Sequence, residues 1–452
     1  MSHPSEVNLN ANSKNGELAQ LEKILSLARK ECEVAEVFLA ITEETPIHLE
    51  ANRVKSIRSR QSQAVALRVF KNGRIGYAIN SDPAEARSLV KAAVETAAFG
   101  ARADFALPPP ADCPTPDIYD EAVPKVSLDT MLAQAQDMAD ALTRHTPGIL
   151  CEGGVSCETT RVSIINSYGL AQGYLRTEYA LAIEGILTRG TDMLFVGDEL
   201  SSCHVIGDST PLKENAIRQL DWASRTASIS TGKLPIIFKP SGVASALLAP
   251  LISGFNGKLV LEKASPLSSK DGHKLMDTKF SLYDDATLSH RPTSRPFDDE
   301  GVPSRRYPLI ENGTVAGFYY DLRTAAMAGK KSTGHGRRTS AQPIPAPSAF
   351  IIPAGNTSFD DMLSDIKEGL VVEQVMGATQ GNVLMGDFSG NVLLGYKIEN
   401  GKIAGRVKDT VISGNVYTML KEIVALGREA NWTGGMLTPS LYFPAVSVAS
   451  KG

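Results

Sequence analysis

Apolar positions along this chain switch repeatedly between a helical period of three to four and a strand period of two. Helices and strands are therefore interleaved from end to end. Leu18, Leu21, Leu25 and Ala28 share one helical face and predict a helix over 17–31. Val34 to Thr42 and Ile47 to Ile57 then read as strands. Ala64 to Ile79 reads as a hairpin, because Asn72-Gly73 at its tip supplies the positive φ angles of a type I′ turn. Asp82, Pro83 and Glu85 make a helix-start pattern that predicts a helix to about Phe99. Pro108, Pro109, Pro110 and Pro114 mark a stiff, extended connection, and Ser127 caps a helix expected over 128–144. Residues 149–190 are rich in Val, Ile, Thr and Tyr. They predict antiparallel strands with turns at Gly153-Gly154 and Tyr168-Gly169.

A polar helical stretch over 212–230 leads to Thr231-Gly232-Lys233, where the main domain boundary is placed. The second half opens with a short buried strand, Leu234 to Phe238, and an apolar, small-residue helix over 241–253. A polar, proline-containing stretch occupies 265–296. From Arg305 onward the pattern is mainly strands. One helix, capped by Thr357 or Ser358 and stopped by Gly369, interrupts it, and so does another, capped by Asn415 and stopped by Gly427. Ile310-Glu311-Asn312-Gly313-Thr314-Val315-Ala316-Gly317 and Ile398-Glu399-Asn400-Gly401-Lys402-Ile403-Ala404-Gly405 echo each other and the hairpin over 70–76. Convergent turn chemistry and a true repeat both account for the echo. The chain reads as α+β. A disordered tail is expected over 1–16, an N-terminal domain of antiparallel sheet with helices over 17–230, and a mainly antiparallel β domain with a few helices over 231–452.

A length of 452 residues is too great for one ordinary core, in keeping with two domains. The net charge of -4, with no basic stripe, argues against direct binding of nucleic acid. No apolar run reaches the roughly 18 residues of a membrane span. The polar start lacks the apolar core of a signal peptide, so a cytoplasmic protein is expected. The five cysteines all lie in the first half, without C-x-x-C spacing, and read as reduced thiols.

The densest chemistry is Phe297-Asp298-Asp299-Glu300-Gly301-Val302-Pro303-Ser304-Arg305-Arg306, followed by Gly334-His335-Gly336-Arg337-Arg338. Asp298, Asp299 and Glu300 could hold a cation or a substrate amine. Arg305, Arg306, Arg337 and Arg338 could clamp a carboxylate or the backbone of a bound peptide. An internal salt-bridge network stitching a loop to a strand accounts for the same residues. His335 reads as a flexible ligand or as an exposed loop histidine. None of the seven histidines is followed by Glu or lies within five residues of another, which leaves only a metal site assembled from distant residues. A G-x-S-x-G elbow and a phosphate-binding loop are both missing.

Five segments together resemble the TldD/PmbA family, also called modulators of DNA gyrase or peptide-maturation proteases. They are Arg68-Val69-Phe70-Lys71-Asn72-Gly73-Arg74-Ile75-Gly76-Tyr77-Ala78, Phe297 to Pro303, Leu309-Ile310-Glu311-Asn312-Gly313, Ser332 to Arg338, and Ile412-Ser413-Gly414-Asn415. They occur in the family's order over about 20–430. The resemblance implies two kinds of subunit. The TldD kind carries H-E-x-x-x-H on a helix early in its C-terminal domain, with a later thiolate ligand; the PmbA/TldE kind lacks both. The equivalent helix here, over 242–254, has no His and no Glu, and no Cys follows Cys203. Such a helix cannot hold zinc, and without zinc water stays a poor nucleophile at neutral pH.

The resemblance therefore implies a noncatalytic, metal-free subunit of a cytosolic metalloprotease that acts on unfolded peptides. It implies no cofactor in this chain, zinc in a TldD-like partner, and a dimer with that partner or with a second copy. Asp298, Asp299, Glu300, Arg305, Arg306, His335, Arg337 and Arg338 would contact peptide or interface; no catalytic or metal-binding residue is expected. Two alternatives stay open: a protein-binding modulator of DNA gyrase, and an independent hydrolase with a dispersed metal site.

Overall fold

The computed structural model describes residues 11–451 of the chain. The tail expected over 1–16 lies, for its first ten residues, outside the described residues. The first half runs α1 (Ala11–Ala28), β1 (Val34–Glu50), β2 (Arg53–Ile57), β3 (Arg60–Lys71), β4 (Arg74–Asn80) and α2 (Ala86–Ala97). It continues through α3 (Leu128–His145), β5 (Leu150–Asn166), β6 (Ala171–Arg189), β7 (Asp192–Ser202) and α4 (Thr210–Trp222). Among the described residues its strands form one seven-stranded antiparallel sheet, ordered β4-β3-β1-β5-β6-β7, with β2 paired to β1.

Strand alternation assigns each face of that sheet a task. Val37 and Leu39 of β1, with Val65, Leu67 and Val69 of β3, bury themselves under Leu21 and Ile24 of α1 and Leu89 and Ala93 of α2. Each fully buried Leu or Ile there contributes about 1.5–3 kcal/mol. The intervening residues of β1, Glu36 and Phe38, point to the opposite face, where Phe38 meets Phe297 of the second half. On this face Glu36 and Phe38 therefore face protein, not water.

The second half begins β8 (Gly232–Phe238), α5 (Pro240–Phe255), α6 (Gly257–Leu261), β9 (Leu282–Asp285), β10 (Arg306–Glu311), β11 (Thr314–Val315) and α7 (Leu322–Met327). After the short β12 (Gly336–Arg338), β13 (Pro343–Pro345) and β14 (Phe350–Ile351) come α8 (Phe359–Ser364), β15 (Glu368–Met376), β16 (Asp387–Glu399) and β17 (Lys402–Arg406). The chain ends through β18 (Thr410–Asn415), α9 (Val416–Met419), β19 (Ala425–Thr433) and β20 (Met436–Ser450). All but β12 and β13 join a second, mostly antiparallel sheet. Its β20–β8 pairing closes β8, β15, β16, β18 and β20 into a ring. The apolar helix α5 packs against that ring: Val243, Ala246, Leu247 and Leu251 join Phe238, Val372 and Phe443 in one core. The opposite faces of β8, β15 and β16, through Ile237, Val371 and Tyr396, share a core with Leu220 of α4 and with α3. The chain is α+β, and no described helix is long and apolar enough to cross a membrane.

Local expectations are met where turn chemistry is strict. Asn72-Gly73, Asn312-Gly313 and Asn400-Gly401 all take paired positive φ at hairpin tips. Ser127 caps α3 by accepting from the Thr130 N–H at 3.1 Å. Other expectations need correction. The strand expected over 47–57 is broken at Ala51 and Asn52, both at positive φ, where β1 turns into β2. Gly153 and Gly154 do not turn the chain but lie inside β5. A Cβ on Gly154 would sit 1.8 Å from the Ile47 carbonyl oxygen, so the glycine permits close strand approach. Asp82 accepts from the Ala84 N–H instead of capping a helix, and α2 starts at Ala86. The helix capped by Asn415 lasts a single turn, because β19 begins at Ala425.

Candidate functional site

The acidic segment forms a tight turn closed by the Gly301 N–H donating to the Asp298 carbonyl at 2.9 Å, with Gly301 at φ +80°. Asp298 Oδ1 accepts from the Glu300 and Val302 N–H groups at 3.0 and 2.9 Å. Its Oδ2 accepts from the Gly336 N–H at 2.7 Å. Asp299 accepts from the Arg338 N–H at 2.7 Å. Glu300 accepts from Arg68 Nη1 at 2.5 Å and from the Leu322 N–H at 2.7 Å. Arg68 also donates to Glu36 at 2.7 Å, its direct cross-strand neighbour on β1, and Arg338 reaches the other oxygen of Glu36. Glu36, Arg68, Asp298 and Glu300 are at most 1% exposed.

The carboxylate oxygens are thus taken up by backbone amides and guanidinium groups rather than left free for a cation. Burial still acts on them. It raises the Asp298 carboxyl to about 6, against the hydrogen bonds from Gly336 and Val302. It raises Glu300 to about 8, against the pull of Arg68. Burial alone would lower Arg68, but Glu36 and Glu300 hold it firmly protonated, above its ordinary value. Arg338 is lowered by burial, with Glu36 acting against it. Arg337 is lowered by the neighbouring charge of Arg295 and by burial.

Of the eight singled-out residues, only Arg305 and Arg306 are exposed; Arg306 stacks over Tyr283, 4.0 Å from the ring centre. His335 is not an exposed loop residue: it is 2% exposed. Its Nδ1 bonds Thr333 Oγ1 at 2.8 Å, its Nε2 lies 3.4 Å from Asp284, and its ring stacks on Tyr319. Positive φ at Gly334 is what folds it inward.

Helix α5 carries no metal-ligating side chain from Ala244 to Ser253. Its N-terminal residues Lys239, Pro240 and Ser241 line a cavity of about 410 Å³ between the halves. The walls are residues 198–201 of β7, the end strand of the first sheet, and residues 430–433 of β19, which pairs only with β20. Arg218 pairs with Glu373 at 2.9 Å in this cavity, and Arg291 stacks over Trp432. Lys239 lies 4.4 Å over the Phe359 ring; burial lowers its pKa, opposed by Glu373. The acidic turn lines no part of this cavity. Sequence reading missed the cavity, because its walls come from six distant segments.

It also missed the convergence of Asp117, His204 and His290, the only group of metal-capable side chains found among the described residues, with all their ligand atoms within 4.8 Å of one another. No spacing signal links these positions.

Fold and site together define a two-half α+β protein, joined by a buried acidic turn, whose inter-half cleft ends on an apolar helix. The profile of the PmbA/TldA metallopeptidase C-terminal domain matches residues 231–450, and that of PmbA/TldA metallopeptidase domain 1 matches residues 35–97. The chain belongs to the TldD/PmbA family. It is 27% identical to the metalloprotease PmbA of Escherichia coli O157:H7, over 94% of each chain. Its fold matches TldE of Thermococcus kodakarensis with a TM-score of 0.86 at 24% identity, covering 95% of this chain and 100% of that one. It also matches a candidate modulator of a DNA gyrase from Thermotoga maritima with a TM-score of 0.87 at 21% identity, covering 95% and 99%.

Proposed function

We propose that this chain is the noncatalytic subunit of a TldD/TldE-type metalloprotease that processes unfolded peptides. One observation carries the reading. Helix α5, whose start (Lys239, Pro240 and Ser241) lines the inter-half cavity, offers only Ala, Ser, Leu, Pro and Ile in its body from 244 to 253, and none of these ligates zinc or activates water. The cavity itself suits an extended chain. Two strand edges flank it, so a peptide can add as a further strand through main-chain hydrogen bonds. Lys239, Arg218, Glu373 and Trp432 then read its side chains and ends.

In this reading the chain shapes the substrate path, and a TldD-like partner supplies the metal. The buried acidic turn rivets the halves that form the path, and does not itself touch peptide. The test is a peptidase assay on an unfolded polypeptide, with this chain alone, a TldD-like subunit alone, and both. Cleavage should need the TldD-like chain, be stimulated by this one, and be abolished by chelation. Chelator-sensitive cleavage by this chain alone overturns the proposal. So does stable capture of DNA gyrase with no association to a TldD-like chain, which would make it a binding modulator.

A further inference from the structure

Asp117, His204 and His290 come from three segments that the fold draws together. Asp117 lies beyond the proline-rich connection, His204 just after β7, and His290 in the second half after β9. His204 Nε2 stands 3.2 Å from Asp117 Oδ1, and His290 Nε2 stands 3.1 Å from Asp117 Oδ2. The two imidazoles stack with centres 4.1 Å apart and planes 27° apart. Asp120 lies 4.0 Å from the far nitrogen, Nδ1, of His204.

The backbone fixes this arrangement. His290 N–H donates to the Asp117 carbonyl at 2.6 Å, and the His290 carbonyl accepts from the Cys203 N–H at 3.0 Å. The Asp117 N–H donates to Ser289 Oγ at 3.2 Å. His290 itself is held at φ +65°, a conformation rare for a non-glycine residue. Such strain persists only where the surroundings over-determine it.

We infer that Asp117, His204 and His290 form a binding site for a divalent transition-metal ion of the zinc class. Two imidazole nitrogens and a carboxylate are the donor set that such ions favour. Ligands bound at about 2.0–2.1 Å around a tetrahedral ion lie about 3.3 Å apart; each imidazole already stands 3.1–3.2 Å from one Asp117 oxygen, and all the ligand atoms lie within 4.8 Å of one another. Each Nε2 now serves as a donor to Asp117. On binding, small rotations of the stacked rings turn both Nε2 lone pairs toward the ion, and the ring protons reside on Nδ1. For His204 that proton faces Asp120, giving the carboxylate–histidine–metal arrangement that orients and strengthens such ligands. Three protein donors leave the remaining position to water.

The site is solvent-accessible, with side-chain exposures of 34% for His204, 52% for Asp117 and 55% for His290, so the ion can exchange. It differs in place and ligands from any site on α5 and is independent of the proposed partnership. Its physical effect is to tie the end of β7 to the second half. The next residue after His290, Arg291, lines the inter-half cavity.

The test uses the full chain stripped of metal with a chelator, then titrated with zinc by calorimetry and with cobalt by absorption. The expected result is one equivalent bound per chain and a zinc-dependent rise in melting temperature. His204→Ala and His290→Asn should abolish both; Asn tolerates positive φ, so the second variant preserves the backbone. His48→Ala, at an exposed histidine elsewhere, should leave both unchanged. Absence of saturable binding by the folded native chain overturns the inference, as does binding that survives in both site variants. Neither result bears on peptide cleavage with a TldD-like chain, so the two proposals fail separately.

Discussion

Arg68 of the first half and Glu300 of the second form a buried ion pair at 2.5 Å, although 232 positions separate them. Arg68 shares its remaining charge with Glu36, and Arg338 completes the set from the second half. Ion pairs out of water recover their desolvation cost only when each charged atom is well hydrogen-bonded. Here the carboxylates accept from backbone amides as well as from guanidinium groups, so most of that condition is met. The cluster therefore fixes how the two sheets sit against each other, and with that the width of the cavity between them.

Removing Arg68 should be costly. Above about pH 8, where Glu300 is ionised, Arg68→Ala leaves Glu300 buried without its cation and Glu36 with Arg338 alone, and a loss of about 3–5 kcal/mol in unfolding free energy is expected. Arg68→Lys should recover little, because one ammonium cannot present the planar fork that spans two carboxylates. Urea unfolding followed by circular dichroism measures both. A loss below about 1 kcal/mol for the alanine variant, the range of an exposed pair, would contradict the role assigned to the pair.

Stability should fall as pH rises. Folding raises Asp298 to about 6 and Glu300 to about 8, both above ordinary carboxylate values. Between that ordinary range and about 8 the folded chain holds protons that the unfolded chain has released. The contribution is fully present at the acid end of the window and is lost as pH rises through it, at up to about 1.4 kcal/mol per unit for each proton. Glu300→Gln should flatten the slope between about pH 5 and about pH 8.5. Equal slopes for the two proteins in denaturant titrations would remove Glu300 as its source.

Gly336 is a packing requirement. A Cβ there would meet Glu300 Oε2 at 2.6 Å and Glu300 Cγ at 2.7 Å, and Glu300 is anchored by Arg68 and Leu322. Gly336→Ala should cost about 1–3 kcal/mol through overpacking. The paired variant Gly336→Ala with Glu300→Ala should show strong non-additivity, since the second change removes the atoms that the first one strikes. Additive losses would mean that the methyl group is absorbed by backbone movement instead.

Much of the fold could be read in the sequence where one residue type dictates geometry. Asn-Gly pairs gave three hairpins, because few other residues accept paired positive φ. The turn at Ala51 and Asn52 escaped notice because Asn there has no glycine beside it. Gly153-Gly154 was misleading for the opposite reason: glycine also serves close strand approach, and only the partner strand shows which. The site was less legible. A run of three carboxylates suggests a surface or a metal, and the groups that meet it, the Arg68 guanidinium and the Gly336 and Arg338 amides, are placed by tertiary packing. Asp117, His204 and His290 carry no local signal at all, since the fold alone makes them neighbours. The empty helix was the exception, because missing ligands are visible in a sequence.

Peptide recognition in the cavity gives the last prediction. Lys239 stands at the start of α5, half-buried over Phe359, and Trp432 faces the cavity from the edge strand β19. Neither belongs to the buried acidic cluster, so replacing them should leave the union of the two halves intact. Lys239→Met and Trp432→Ala should each weaken peptide binding about tenfold, equivalent to about 1.4 kcal/mol, and raise KM in the assay with a TldD-like chain. The kcat should change little, because neither residue would touch the partner's metal or its water. Arg306→Ala, on β10 and outside the cavity's lining, is the control and should leave KM unchanged. A fall in kcat with KM constant would place these side chains at the subunit contact, and unchanged kinetics in both variants would move the peptide path away from this cleft.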